Sequence, residues 1–245
     1  MNNRWYENAS IKINNNGIIE SITESKDSFG FTDFAIPGFQ NAHSHAFQYA
    51  MAGLAELHDT QPNQNDFWSW RNAMYDLALT INPDQLEAIA TMLYKEMLRN
   101  GYTEVAEFHY LHHDIEGKRF SNISENGERL ISAAKKAGIK ITLIPIFYQK
   151  GGFGKEAENK QRRFISKTYD NYIDLFQASL KSTTLYENAT IGLGIHSMRG
   201  VSAKDIIQLS KFRSGNTPFH IHVSEQLKEI EDCVEFLGQR PVEWL

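Results

Sequence analysis

Two pairs of histidines stand at i and i+2 in this chain, His43 and His45 in "PGFQNAHSHAF" and His220 and His222 in "PFHIHVSEQ". On an extended backbone both imidazoles of a pair project to one side. Imidazole at that spacing chelates zinc or another borderline divalent ion, which makes His43, His45 and His222 ligand candidates for a shared metal. Glu225 follows His222 by three residues. A carboxylate there can take a proton from water at such a metal and hand it to a leaving nitrogen. His220 reads either as a residue behind the ligands or as a packed core histidine, and the core reading is the one expected. For His43 and His45 the plainer reading is one exposed loop residue and one local hydrogen bond. The flanking Pro37, Gly38 and Asn41 favour a site, because they mark a turn that brings backbone close.

Further polar groups follow other apolar runs. "TEVAEFHYLHHD" carries Glu107, His109 and Tyr110, and "GLGIHSMRG" carries His196, Ser197 and Arg199. Histidines at the ends of most strand candidates are expected to form an active-site rim. Arg71, in "FWSWRNAMY" on a long loop after the first strand, and Arg199 are candidate clamps for a carboxylate, since the guanidinium fork matches its geometry. Either could equally be an ordinary surface ion pair. Gly151, Gly152 and Gly154 in "YQKGGFG" lack phosphate-loop spacing and read as flexibility, in a substrate lid.

The elements that must position these groups alternate. Strands are expected at 33–37, 103–109, 139–147, 190–196 and 217–223, with helices at 84–99, 125–137, 168–181, 202–212 and 225–237. Asn82, Pro83 and Gln85 mark one helix start and Gly101 its stop. Leu86, Ile89, Leu93 and Met97 share its expected buried face, with Glu87, Lys95 and Arg99 in water. Residues 1–36 read as a hairpin segment around the turn at 14–17. Repeated β-then-α units with apolar strands predict an α/β fold with a parallel sheet covered by helices. Five units make either an open sheet or the first part of an eight-stranded barrel. The final "GQRPVEWL" begins a new element, which favours a truncated chain.

Composition narrows the function. The chain has 245 residues, 41% apolar and 22% charged, with a net charge of -5. That balance gives no reason to expect nucleic acid or an anionic membrane as partner. The single cysteine, Cys233, sits in a helical pattern with its thiol inward, which suits a reducing compartment. The longest apolar run falls far short of the ~20 residues that cross a bilayer. A cytoplasmic protein acting on small molecules is expected.

The ordered set "PGFQNAHSHAFQYAMAGLAE", "FWSWRNAMY", "VAEFHYLHHD", "YQKGGFG", "GLGIHSMRGV" and "PFHIHVSEQLKEIEDC" resembles the formimidoylglutamate deiminases of the amidohydrolase superfamily. The resemblance implies a (β/α)8 TIM-like barrel, with residues 37–245 supplying its first five units and ending before strand six. Residues 1–36 would supply the N-terminal β segment of a composite sandwich. It implies one zinc ion per subunit held by His43, His45, His222 and an aspartate after the last strand, with Glu225 catalytic beside a histidine after strand six. It also implies substrate contacts from Gln48, Arg71, Tyr110 and Arg199. The aspartate and the strand-six histidine have no counterpart in the 245 residues, so three of four protein ligands are expected here. The implied reaction is hydrolysis of N-formimino-L-glutamate to N-formyl-L-glutamate and ammonia. The partner would be a small dicarboxylate, with a homodimer as the assembly to test. The competing enzymatic reading is deamination of a purine or pyrimidine, and the non-enzymatic one an inactive fragment.

Overall fold

The computed structural model describes residues 5–24, 34–53 and 66–245. Two compact units divide the chain at Pro37 and Gly38. In the first, β1 (Ala9–Ile13) pairs antiparallel with β2 (Ile19–Glu24). The Asn14 side chain accepts from the backbone N–H of Asn16 and of Ile18, each at 3.0 Å, and closes the expected turn. Gly17 takes the φ of 76° that the turn requires.

The second unit opens with β3 (Phe39–Ser44), a short 3-10 helix (Ala46–Met51), α1 (Asp66–Ala78) and α2 (Pro83–Arg99). β4 (Tyr102–His109), α3 (Glu125–Ala137), β5 (Lys140–Phe147) and α4 (Tyr169–Ser182) follow. The chain continues through β6 (Ala189–Ile191), β7 (Leu193–Ser197), α5 (Ala203–Phe212), β8 (Phe219–His222), α6 (Leu227–Leu237) and α7 (Pro241–Trp244). The sheet runs β3-β4-β5-β7-β8, with β6 also on β5, and every pairing is parallel. Sequence order and spatial order coincide. A doubly wound sheet reverses its order at a switch point, whereas a barrel keeps adding strands on one side. This is therefore part of a (β/α)8 barrel. The expected strand at 190–196 is present as two pieces, β6 and β7.

β3 lies beyond the expected span. Residues 34–38 form no strand, and residue 33 lies outside the described residues. Strand pairing starts at Phe39, just past Gly38, where a Cβ would come within 2.3 Å of the Thr103 side chain. His43 is thus inside the strand and His45 just past it.

α2 is capped as expected: the Asn82 side chain accepts from Gln85 N–H and the Gln85 side chain accepts from Asn82 N–H. Its buried face differs, however. Glu87 is buried rather than wet, and Ile89 and Leu93 are only partly buried. The face turns because α2 packs along α3, whose Arg129, Ser132 and Lys136 reach Glu87 at 3.0, 2.6 and 2.6 Å. α1 is a helix where a loop was expected. Its aromatic-rich sequence carries no clear polar face, so periodicity does not announce it.

Among the described residues, no helix is long and apolar enough to cross a membrane.

Candidate active site

His43, His45 and His222 meet at one point. Their Nε2 atoms form a triangle of 3.0, 3.2 and 3.1 Å, and among the described residues they are the group that meets metal-ligand spacing. β3 supplies His43 and the turn after it His45, while β8 supplies His222 from the far side of the sheet. All three lie at the carboxyl ends of parallel strands, where barrel folds bind ligands.

The chemistry of the triangle is that of a ligand set. His45 Nδ1 lies 2.9 Å from the Phe108 carbonyl, which can only accept, so this nitrogen carries the proton. Its Nε2 lone pair then faces the other two rings. Burial, then the neighbouring His222 and His43, pushes the pKa of His45 down to about 3. Burial and His43 push His222 down to about 4, and burial also lowers His43, with Glu225 opposing both shifts. These rings are neutral at neutral pH, the form that binds metals. Nitrogens at these separations fit around one ion at the usual zinc–nitrogen distance of about 2.0–2.1 Å. The residues present therefore fit a divalent metal.

Glu225 follows Ser224, which holds a left-handed φ of 56°. Such a conformation in a residue with a side chain is strained. Arg199 Nη2 donates to Glu225 at 2.9 Å and its Nη1 to Glu229 at 2.6 Å. Glu229, nearly inaccessible, also accepts from the backbone N–H of Glu225 at 3.1 Å. The sequence reading missed Glu229. Its signal was position, four residues past Glu225 in the first turn of α6, where a carboxylate can reach back to free backbone donors.

A cavity of about 730 Å³ opens beside the triangle, lined by His45, His222, Glu225, Arg71, Arg199 and Tyr110 among others. The Tyr110 hydroxyl accepts from Gln48 Nε2 at 2.9 Å. Arg71, on α1, donates through Nε to the Tyr75 hydroxyl at 2.9 Å and lies over that ring. Gln161 joins Tyr75 and Tyr148 at 3.2 and 2.7 Å, and Tyr148 stacks on His196 at 4.0 Å between ring centroids. His196 in turn meets the His222 ring edge-on at 5.1 Å. The structure thus gathers Gln48, Arg71, Tyr110, Arg199 and Glu225 around one space.

The rim expectation fails for His109, and its neighbours His112 and His113 do not replace it. His109 and His112 are buried, and His112 and His113 bond the carbonyls of Ile146 and Ile165 at 2.8 and 3.0 Å. His112 and His113 satisfy backbone, and none of the three lines the cavity. His220 is half-buried rather than core, because β8 ends the described sheet and leaves one flank open. Gly151 and Gly152 line the cavity, but close packing explains the first: a Cβ on Gly151 would meet the Glu156 carbonyl at 2.4 Å.

A half-barrel with three histidines converging at its strand ends defines a metal-dependent hydrolase scaffold, and the amidohydrolase family profile matches residues 34–245. The chain belongs to the amidohydrolase family. It is 41% identical over 246 residues to a formimidoylglutamate deiminase of Pseudomonas aeruginosa, covering 98% of this chain and 53% of the relative. It is 25% identical to a 5-methylthioadenosine/S-adenosylhomocysteine deaminase of Thermodesulfovibrio yellowstonii, covering 86% of this chain and 41% of that protein. Among solved structures, an amidohydrolase from Brucella melitensis superposes with a TM-score of 0.86 at 44% identity, covering 98% of this chain and 54% of that one. The chain spans about half the length of the curated relatives it matches.

Proposed function

We propose hydrolytic deimination of N-formimino-L-glutamate to N-formyl-L-glutamate and ammonia at one zinc ion held by His43, His45 and His222. The observation that carries the reading is the convergence of three neutral imidazoles beside Glu225, in a cavity that also holds Arg71 and Arg199. The ion, when bound, supplies Lewis acidity and makes water a nucleophile near neutral pH.

The chain's own groups do the rest. Glu225 accepts the proton of the attacking water and returns it to the departing nitrogen as the carbon–nitrogen bond breaks. The formimino group is an amidine, cationic near neutral pH, so its carbon already attracts the nucleophile. Arg199 and Arg71 offer fixed positive charge to the two carboxylates of the substrate. Gln48 and Tyr110, already bonded to each other, border the space between them. The name of the Pseudomonas relative supports this substrate over others.

A nucleoside base would not call for two guanidinium groups. The test offers zinc-loaded protein N-formimino-L-glutamate and 5'-methylthioadenosine and follows ammonia release. Turnover of the first alone is expected. Turnover of the nucleoside alone would replace this reading with purine deamination.

A further inference from the structure

Two consecutive residues of β4 hold Ser44, the last residue of β3, and the two residues that follow it. The Glu107 carboxylate accepts from Ala46 N–H at 2.6 Å and from the Tyr94 hydroxyl at 3.0 Å. It also accepts from the Ser44 side chain. The next residue, Phe108, accepts from His45 Nδ1 through its carbonyl. Residues 44, 45 and 46 are all tied down, and His45 is the middle one.

This carboxylate is an expensive choice unless it does something an apolar residue could not. Glu107 is 2% exposed, and its hydrogen-bond partners are neutral donors. Burying a carboxylate without a cation is costly, and burial pushes the pKa of Glu107 up to about 7 against the pull of its three donors. The sheet would close with an apolar residue at that position. What it would lose is the grip on the turn. The β3–β4 register shifts between Asn41 and Ser44 and ends on the pair Ser44 with Glu107, so the ladder stops short of His45 and Ala46.

We infer that Glu107 is a positioning residue of the metal centre: by latching Ser44 and Ala46 to β4, it fixes the backbone on both sides of His45 and so aims His45 Nε2 at the ion. The inference rests on the metal reading above. It predicts that metal affinity and ligand geometry depend on a carboxylate that touches neither metal nor substrate.

The test loads metal-free protein with cobalt(II) and measures affinity against a chromophoric chelator, together with the d–d absorption of the bound ion. Wild type should bind with a defined ligand-field spectrum. Glu107→Gln keeps one acceptor but turns an amide NH2 toward a donor. It should weaken cobalt and zinc binding by roughly 10–100-fold, the usual scale for groups that orient metal ligands, and alter the d–d bands. Glu107→Gln that folds, binds with wild-type affinity and leaves the spectrum unchanged would overturn the proposal. If it does not fold, the Ser44→Ala/Tyr94→Phe double variant decides: weakened binding with a changed spectrum supports the latch, and wild-type binding overturns it. Wild type that takes up no cobalt, or His45→Ala that binds as wild type does, would instead remove the metal reading on which the inference rests.

Discussion

Arg199 and Glu225 form an ion pair at 2.9 Å, and the other terminal nitrogen of Arg199 holds Glu229 at 2.6 Å. The cation proposed to take a substrate carboxylate therefore stands against the proposed general base. A substrate carboxylate that binds Arg199 competes with Glu225 for Nη2 and leaves Glu225 turned toward the water. Arg199→Ala should accordingly change kcat as well as KM, lowering kcat/KM by about one to two powers of ten. Arg199→Lys should recover only part, because one ammonium cannot bridge two carboxylates as a planar fork does. Steady-state kinetics on N-formimino-L-glutamate check this; a pure KM effect would show that the ion pair plays no part in turnover.

Glu225→Gln removes the proton acceptor and keeps the shape. Turnover should fall by ~10²–10⁴-fold, the range for a lost general acid–base, while metal content stays at the wild-type level. Parallel activity and elemental analysis test it, and near-wild-type turnover would assign the proton transfer to another residue.

Because Arg199 stands against Glu225, the proposed reading leaves the carboxylate farther from the reacting carbon to Arg71. With an analogue lacking the γ-carboxylate, wild type should lose about one to two powers of ten in kcat/KM. Arg71→Ala should lose little further on changing substrate. A variant that still discriminates fully would hand the γ-carboxylate to another group.

Away from the site, Glu87 offers a pH test of the packing between α2 and α3. Burial pushes its pKa up, but bonds from Lys136, Ser132 and Arg129 outweigh that and leave it at about 2, against the ordinary 4.5. A pKa lowered on folding stabilises fully above the unfolded value, and that stabilisation is lost as pH falls from about 4.5 to about 2. With Lys136 largely exposed, the contribution is about 1–3 kcal/mol at neutral pH. Urea unfolding of wild type and Glu87→Gln should show that gap near pH 7 and see it close toward pH 2. A gap independent of pH would mean that the charge is not the source.

The parts legible in sequence were those whose signal is local. The Asn82, Pro83 and Gln85 start of α2 and the alternation of strand and helix are fixed by neighbouring residues; α2 and the last four strands stand close to where they were expected, while the first strand begins beyond its expected span. The His-x-His spacing and the strand-end position of His222 likewise pointed to convergence, and the Nε2 triangle follows from them. What stayed hidden depends on residues far apart in the chain. Glu87 becomes a buried ion because Arg129, Ser132 and Lys136 of α3 reach it from 42 to 49 positions later. His109 had the same local grammar as His222, a histidine at a strand end, but its side chain is buried, and the neighbouring His112 and His113 turn to the carbonyls of Ile146 and Ile165, 34 and 52 positions later. The partnership of Arg199 with Glu229 joins β7's loop to α6, and no spacing rule connects them. α1 escaped because its aromatic run shows no clear period to announce it.

The account stands on the triangle of His43, His45 and His222. Protein stripped by a chelator and titrated with zinc, with elemental analysis of the dialysed product, measures it directly. One ion per chain is predicted for wild type, with stoichiometric binding lost in His43→Ala, His45→Ala and His222→Ala alike. Full zinc occupancy in all three variants would contradict it.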